Sequence, residues 1–183
     1  FNTNFHIQSL VEVRNCHVAA VTSRTIDSAE KSAVYANELK LGPAVAFEDL
    51  EAMAADPSIE AIWINSPNDS RIAVMEAIAA GNAKRATPLL GVACEKPLAR
   101  NLQEARRVVE IMEDAGIPTG YLENQVFTPS VVRGKDVIWR RGAAATGRPY
   151  LARAAEEHCG PHSPWFWDGE QQGGGVMNDM MCH

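Results

Sequence analysis

The hydrophobic positions follow two rhythms that alternate along the chain. Short apolar runs, "HVAAVT" at 17–22, "PAVAF" at 43–47, "EAIWIN" at 60–65 and "LLGVAC" at 89–94, have the length of buried strands. Between them, helices are predicted over 4–14, 27–39, 48–55, 69–80, 101–115 and 129–141. The helix over 101–115 has the clearest signature. Asn101 and Glu104 have the spacing of a capping box, with Asn in place of Ser or Thr. Leu102, Ala105, Val108, Val109 and Met112 share one face, and Gly116 with Pro118 stops the helix. Asp27 is the expected cap of the second helix, and Gly81 the expected stop of the helix over 69–80. "PTGYLE" and "PYLARAAEE" (149–157) complete the predicted strands.

Short strands alternating with helices predict a parallel sheet covered on both faces. In such sheets ligands gather beyond the carboxyl ends of the strands. Three of those ends are polar: "TSR" at 22–24, "NSPND" at 65–69 and "CEKP" at 94–97. One polar end makes an ordinary turn, whereas three on one sheet edge point to a binding crevice. After residue 157 the periodicity stops, and "HCGPHSPWFWDGEQQGGG" is rich in aromatic residues, Gly and Pro. The closing "VMNDMMCH" has helical character but is too short to stand alone. A domain boundary is expected near 148, giving a first domain over 1–147 and the beginning of a second over 148–183.

Composition narrows the function classes. The formal charge of -6 argues against a nucleic-acid surface, which needs a basic face. It does not oppose a small anionic cofactor, for which a few local donors suffice. No apolar run reaches the roughly 18 residues of a membrane span, so no membrane association is expected. The cysteines, Cys16, Cys94, Cys159 and Cys182, include no C-x-x-C pair and do not have the spacing of a disulfide scaffold. Reduced thiols in a cytoplasm are the default reading. The opening "FNTNFHIQSL" has no basic and apolar regions of a signal peptide. It also has no Met and enters a helical pattern at once, so residues are expected upstream. His158, Cys159 and His162, with Cys182 and His183, match no common zinc spacing, and no metal is expected.

Two constellations carry candidate chemistry. Lys96 stands between Glu95 and Pro97 at the mouth of a strand. Its ammonium could hydrogen-bond a substrate hydroxyl and stabilise charge developing on that oxygen. The plainer alternative is a surface lysine where a strand ends. Asp179 and His183 are four residues apart and would share one helix face, where the carboxylate could orient the imidazole. The plainer alternative is an exposed polar pair.

"CEKPLA", then "ENQVFTP", then "GGGVMNDMMCH" resemble the Gfo/Idh/MocA oxidoreductases, and "EDLEAMAADPSIEAIWINSPN" looks like the family's third and fourth units. The resemblance runs over nearly the whole chain. It implies an α/β fold: a Rossmann-like doubly wound parallel sheet followed by the start of a second α/β domain. The family's first strand and G-x-G-x-x-G turn would precede residue 1, and most of its second domain would follow His183. The chain therefore reads as a piece of a longer protein. "NAKRATP" is extra sequence before the E-K-P strand, and "NDSR" replaces a stretch that usually contains His.

The resemblance implies an NAD(P)-dependent oxidoreductase that transfers a hydride between a nicotinamide cofactor and a hydroxyl carbon of a sugar, sugar derivative or cyclic polyol. Lys96, Asp179 and His183 would be catalytic, with the proton acceptor among them left open. Ser23 and Arg24 would meet the cofactor's ribose. "VTSRT" lacks the acid that binds the diol of NAD, and Arg24 suits the 2′-phosphate, so NADP is favoured over NAD. Asn65, Ser66, Pro67 and Asn68 would line the cofactor, together with Glu95 and Lys96. His158, Trp165 and Trp167 are candidates for the substrate pocket. Aromatic faces stack on sugar rings, although a hydrophobic plug would use the same residues. The full-length protein is expected to be a homo-oligomer. Two other readings stay open: a redox-neutral family member that oxidises transiently before eliminating or hydrolysing, and a non-catalytic binding module.

Overall fold

The computed structural model describes residues 2–155, 157, 159, 160 and 163–183. The expected alternation is present. Helices α1 (Asn2–Ser9), α2 (Ile26–Glu38), α3 (Leu50–Ala55), α4 (Arg71–Asn82) and α5 (Leu102–Asp114) interleave with strands β1 (Ala20–Thr22), β2 (Val45–Phe47), β3 (Ala61–Ile64), β4 (Gly91–Glu95) and β5 (Thr119–Leu122). Every pairing is parallel, with Ala20 opposite Val45, Ile62 opposite Val92 and Cys94 opposite Tyr121. The strands form two hydrogen-bonded sets, β1-β2 and β3-β4-β5.

Strand periodicity decides which face is core. In β3, Ile62 and Ile64 are buried while Ala61 and Trp63 point outward. The buried face meets Met53, Met75, Ile78, Val108 and Met112, which seats α3, α4 and α5 against the three-stranded set. A second cluster of Ile7, Ala33, Ala36, Leu41 and Ala44 ties α1 and α2 to the start of β2. Small alanines on α2 let that helix lie close to its neighbours.

Several boundaries differ from expectation. The first helix is α1 followed by a 3-10 turn over Leu10–Glu12. Thr25, not Asp27, caps α2, and it does so without a side-chain bond, because the helix begins at Ile26. Gly81 does not stop α4 but lies inside it, where a Cβ would sit 2.7 Å from the Ala54 Cβ on α3. The glycine permits the close approach of α3 and α4. Gly81→Ala is expected to cost about 1–3 kcal/mol, the usual range for overpacking, measured by urea unfolding. A cost below about 0.5 kcal/mol would show that the helices yield freely. Asn101 caps α5 as expected, accepting the Glu104 N–H at 3.0 Å, while Glu104 accepts from the Arg100 N–H at 3.2 Å.

Beyond β5 the chain continues as α6 (Pro129–Lys135), a π-helical segment (Asp136–Gly142) and α7 (Ala143–Thr146). The helix expected over 129–141 is therefore longer and changes its winding. The strand expected over 149–157 is not formed among the described residues: 149–155 and 157 have no regular structure, and Tyr150 is 98% exposed. A strand needs a hydrogen-bonding neighbour, and the described residues offer it none. Two short helices, α8 (Gly169–Gln172) and α9 (Val176–Asp179), close the chain. Among the described residues no helix is long and apolar enough to cross a membrane.

Candidate active site

β4 delivers Glu95 and Lys96 to the carboxyl edge of the three-stranded set, and the Lys96–Pro97 bond is cis. The Glu95 carboxylate is buried and both its oxygens are engaged. Oε1 meets the His6 ring nitrogen at 2.8 Å, and Oε2 accepts the Lys96 N–H at 2.8 Å. His6 itself leans on Trp63, with ring centroids 5.6 Å apart. Glu95 thus ties α1 to the strand end and fixes the backbone that carries Lys96. Burial would raise its carboxyl pKa, but the His6 bond, supported by the Lys96 N–H and ammonium, outweighs burial and holds it below the usual range. A carboxyl lowered in the fold stabilises above the unfolded pKa of about 4.3, and this contribution fades as pH falls through the folded value. Glu95→Gln is expected to lower Tm at neutral pH, with the gap to the wild type closing below about pH 4. A gap that persists unchanged into acid would mean that Glu95 does not act through its charge.

The Lys96 ammonium donates to the Asp179 carbonyl at 2.8 Å and to its carboxylate Oδ1 at 3.0 Å. The two side chains are 17% and 18% exposed. The expected meeting of Lys96 and Asp179 is present. His183 is differently held. α9 ends at Asp179, so the two residues do not share a helix face, and the His183 Nδ1 pairs instead with Glu123 Oε1 at 2.7 Å. Glu123, just past β5, is the imidazole's carboxylate partner, with both side chains about nine-tenths buried (12% and 11% exposed). Cys182 lies between the two pairs. Its thiol donates to the Asp179 carbonyl at 3.2 Å and is pushed up by burial, against the opposing pull of Lys96.

A glycine-rich loop brings Asp179 and His183 to the strand ends. Gln172 is 1% exposed, and its Oε1 accepts from the Gly174 and Gly175 N–H groups at 2.8 and 2.5 Å. The Asn68 and Asn178 amides both donate to the Gln172 carbonyl, at 2.9 and 2.8 Å. Gly173 has φ +97°, and a Cβ there would fall 2.5 Å from the Arg100 backbone and side chain. Asn68, expected to line a cofactor, has its amide committed to this loop. Pro67 precedes the turn over Asn68–Ser70. Asn65 Oδ1 and Ser66 Oγ are buried with no protein partner. Such orphaned atoms at a strand end fit contacts to a cofactor's amide or hydroxyl groups.

Other candidates fall further out. Ser23 and Arg24 are exposed at the carboxyl end of β1. Trp165 stacks on Phe166 with centroids 4.0 Å apart, and Trp167 is 79% exposed. His158 and His162 lie outside the described residues. Three contributors escaped the sequence reading. His6 shows no signal beyond residue type, and Glu123 opens the "ENQVFTP" stretch without having been singled out for the site. Arg71, in the "NDSR" stretch, is buried and donates to the Cys94 thiol at 2.7 Å, locking the β3-end turn to β4.

This is the edge of a Rossmann-type domain with a lysine, three carboxylates and two histidines collected at it. Residues 1–120 match the model of the Gfo/Idh/MocA oxidoreductase family with an NAD-binding Rossmann fold, and the chain belongs to that family. It is 31% identical over 169 residues to a 1,5-anhydro-D-fructose reductase of Ensifer adhaerens, covering 89% of this chain and 46% of the relative. It is 36% identical over 128 residues to a D-xylose 1-dehydrogenase (NADP(+)) of Haloferax volcanii, covering 70% of this chain and 36% of the relative. The structure of GenD2 from gentamicin A biosynthesis, in complex with NAD, matches with a TM-score of 0.76 at 20% identity, covering 100% of this chain and 48% of that one. The last likeness is one of fold. The chain spans less than half the length of these relatives.

Proposed function

We propose that the protein works as an NAD(P)-dependent oxidoreductase on a hydroxyl carbon of a sugar, sugar derivative or cyclic polyol. The observation that carries this reading is the meeting of the Lys96–Asp179 and Glu123–His183 pairs at the strand ends. The family supports it, as do the sugar substrates in the relatives' names. Residues 1–147 would serve the cofactor, and 148–183 would begin the substrate domain.

A nicotinamide bound at this edge would supply the hydride acceptor or donor. Ser23, Arg24, Asn65 and Ser66 would hold the cofactor, with Pro67 shaping the turn. Glu95 would fix the strand end beneath it. Lys96 would hydrogen-bond the substrate oxygen and stabilise its developing negative charge. Asp179 would hold the ammonium in place through its carboxylate and carbonyl. Glu123 holds the His183 ring so that its remaining nitrogen can take or return the hydroxyl proton. Trp167 offers an exposed face to a sugar ring, and Trp165 is braced by Phe166.

NADP is the favoured cofactor, because Arg24 stands at the end of β1 without an acid in "VTSRT". Arg24→Ala is expected to weaken NADP(H) binding at least about tenfold and to leave NAD(H) nearly unchanged, as read by fluorescence titration. Equal losses would remove Arg24 from phosphate recognition. A cytoplasmic setting fits the four unpaired cysteines, and homo-oligomerisation fits the exposed Val131, Ile138 and Trp139 on α6 and the π-helical segment. The direct test is cofactor reduction at 340 nm across pentoses, hexoses, anhydro-sugars and cyclitols. Turnover of at least one class supports the proposal, and cofactor binding with no turnover of any class contradicts it.

A further inference from the structure

We propose that Gln172 is a positioning residue whose buried amide sets the turn that aims Asp179 at Lys96. Its effect on turnover rests on the oxidoreductase reading, whereas the contact it sets does not. At 1% exposure Gln172 is the least exposed polar residue among the described residues. A buried side-chain amide costs desolvation unless its polar atoms find partners. Both atoms find them on the glycine loop. Oε1 accepts the Gly174 and Gly175 N–H groups at 2.8 and 2.5 Å, and Nε2 donates to the Gly175 carbonyl at 3.0 Å. Gly175 is thus held at both its N–H and its carbonyl.

The same carbonyl leads to the site. It also accepts the Asp179 N–H at 3.0 Å and the Asn178 N–H at 3.1 Å, the bonds that form α9. α9 has four residues, too few to hold a helical turn unaided, so its position is set from outside. Asp179 then takes the Lys96 ammonium on its carbonyl and on Oδ1. One shared carbonyl therefore joins the Gln172 amide to the residue that engages the lysine. The backbone of Gln172 is anchored in turn. Its carbonyl accepts the Asn68 amide at 2.9 Å and the Asn178 amide at 2.8 Å, and Asn68 stands in the turn after Asn65 and Ser66. Gln172 thus ties the loop to the end of β3 and, through Gly175, holds Asp179 at the end of β4. The adjacent Gln171 is a built-in control: its amide donates to Asp168 Oδ2 at 2.6 Å. "GEQQGGG" reads as one polar stretch, so spacing does not tell the two glutamines apart.

The test follows the lysine ammonium resonances of the isotope-labelled full chain by nuclear magnetic resonance, together with steady-state kinetics. An ammonium held by a carboxylate and a carbonyl exchanges slowly with water, and the resonance missing from Lys96→Ala is that of Lys96. Gln172→Met keeps the volume and removes the amide. It is expected to erase that resonance with circular dichroism unchanged. Gln172→Glu keeps the two acceptances and loses the donation to Gly175; it is expected to do the same, and it replaces Gln172→Met should that variant misfold. Gln171→Met should keep the resonance. On a sugar or cyclitol that is turned over, Gln172→Met should lower kcat about 10–100-fold, the cost of a displacement of about an ångström, with KM for cofactor unchanged. In an Asp179→Asn background the same substitution should lower kcat by about twofold at most, because a residue that acts through Asp179 has little left to position. A Lys96 resonance that persists in Gln172→Met, or equal fold losses with and without Asp179, overturns the proposal, as does the absence of a Lys96 resonance from the wild type. Loss of the resonance in Gln172→Met, with a wild type that binds no nicotinamide cofactor, overturns the oxidoreductase reading and leaves the positioning role standing.

Discussion

Lys96→Ala will lower kcat by about 10²–10⁴, the range for a positioned charge-stabilising or proton-transferring group. Cofactor affinity should change little, because the lysine ammonium is directed to Asp179. The lysine is held for this task from three sides. Glu95 fixes its backbone N–H at 2.8 Å, Pro97 follows it, and Asp179 receives its ammonium at 3.0 Å. Removing the side chain also leaves the Asp179 carboxylate, 18% exposed, without its cation. A fall in Tm alone would therefore not establish catalysis. The diagnostic pattern is a fall in kcat with unchanged KM for cofactor, and with Lys96→Arg failing to restore turnover, since a planar guanidinium is a poor substitute for a compact ammonium. Near-normal turnover in Lys96→Ala would leave the strand end as a turn and nothing more.

Arg85→Ala is expected to destabilise the fold by about 2–4 kcal/mol, the cost of breaking a hydrogen-bond network made by a charged group. The guanidinium donates to four carbonyls: Thr87 at 2.8 Å, Ala54 at 3.1 Å, Ile59 at 2.8 Å and Asp56 at shorter range. It staples the end of α3 and the approach to β3 to the loop leading into β4. Urea unfolding measures the effect, and Arg85→Lys should recover only a small part, because an ammonium cannot reach four carbonyls in a plane. A loss below about 0.5 kcal/mol would show that the loop holds itself.

The legible parts of this fold share a cause. Ile62 and Ile64 alternate with outward residues, and Val108 and Met112 recur at helical spacing, because each element has one face to bury. That pattern is local and survives in the sequence. The "CEKP" stretch was legible too, since a lysine against proline at a strand mouth is an unusual place for a charge. What was not legible depends on partners far along the chain. Arg85 lies in "NAKRATP", which reads as inserted sequence, yet its carbonyl partners come from 26 to 31 residues earlier as well as from Thr87 nearby. Glu123 and His183 meet across 60 residues, and His6 and Glu95 across 89. No spacing rule finds such pairs. The Asp179–His183 pairing is absent for a different reason: α9 is too short to carry the helical phase to His183, and the imidazole pairs with Glu123 instead. The strand expected over 149–157 has an apolar pattern of its own but no neighbouring strand among the described residues to complete it.

Deuterium tracing bears most directly on the central claim that hydride leaves or reaches a hydroxyl carbon at the Lys96 edge. A sugar or cyclitol that the protein turns over is labelled with deuterium on the reacting carbon, incubated with NADP⁺, and the recovered cofactor is weighed by mass spectrometry. Deuterium in the reduced nicotinamide with the wild type, and its loss together with turnover in Lys96→Ala, is the expected result. Recovered cofactor without label while both the sugar and NADP⁺ bind, or full label transfer in Lys96→Ala, would contradict it.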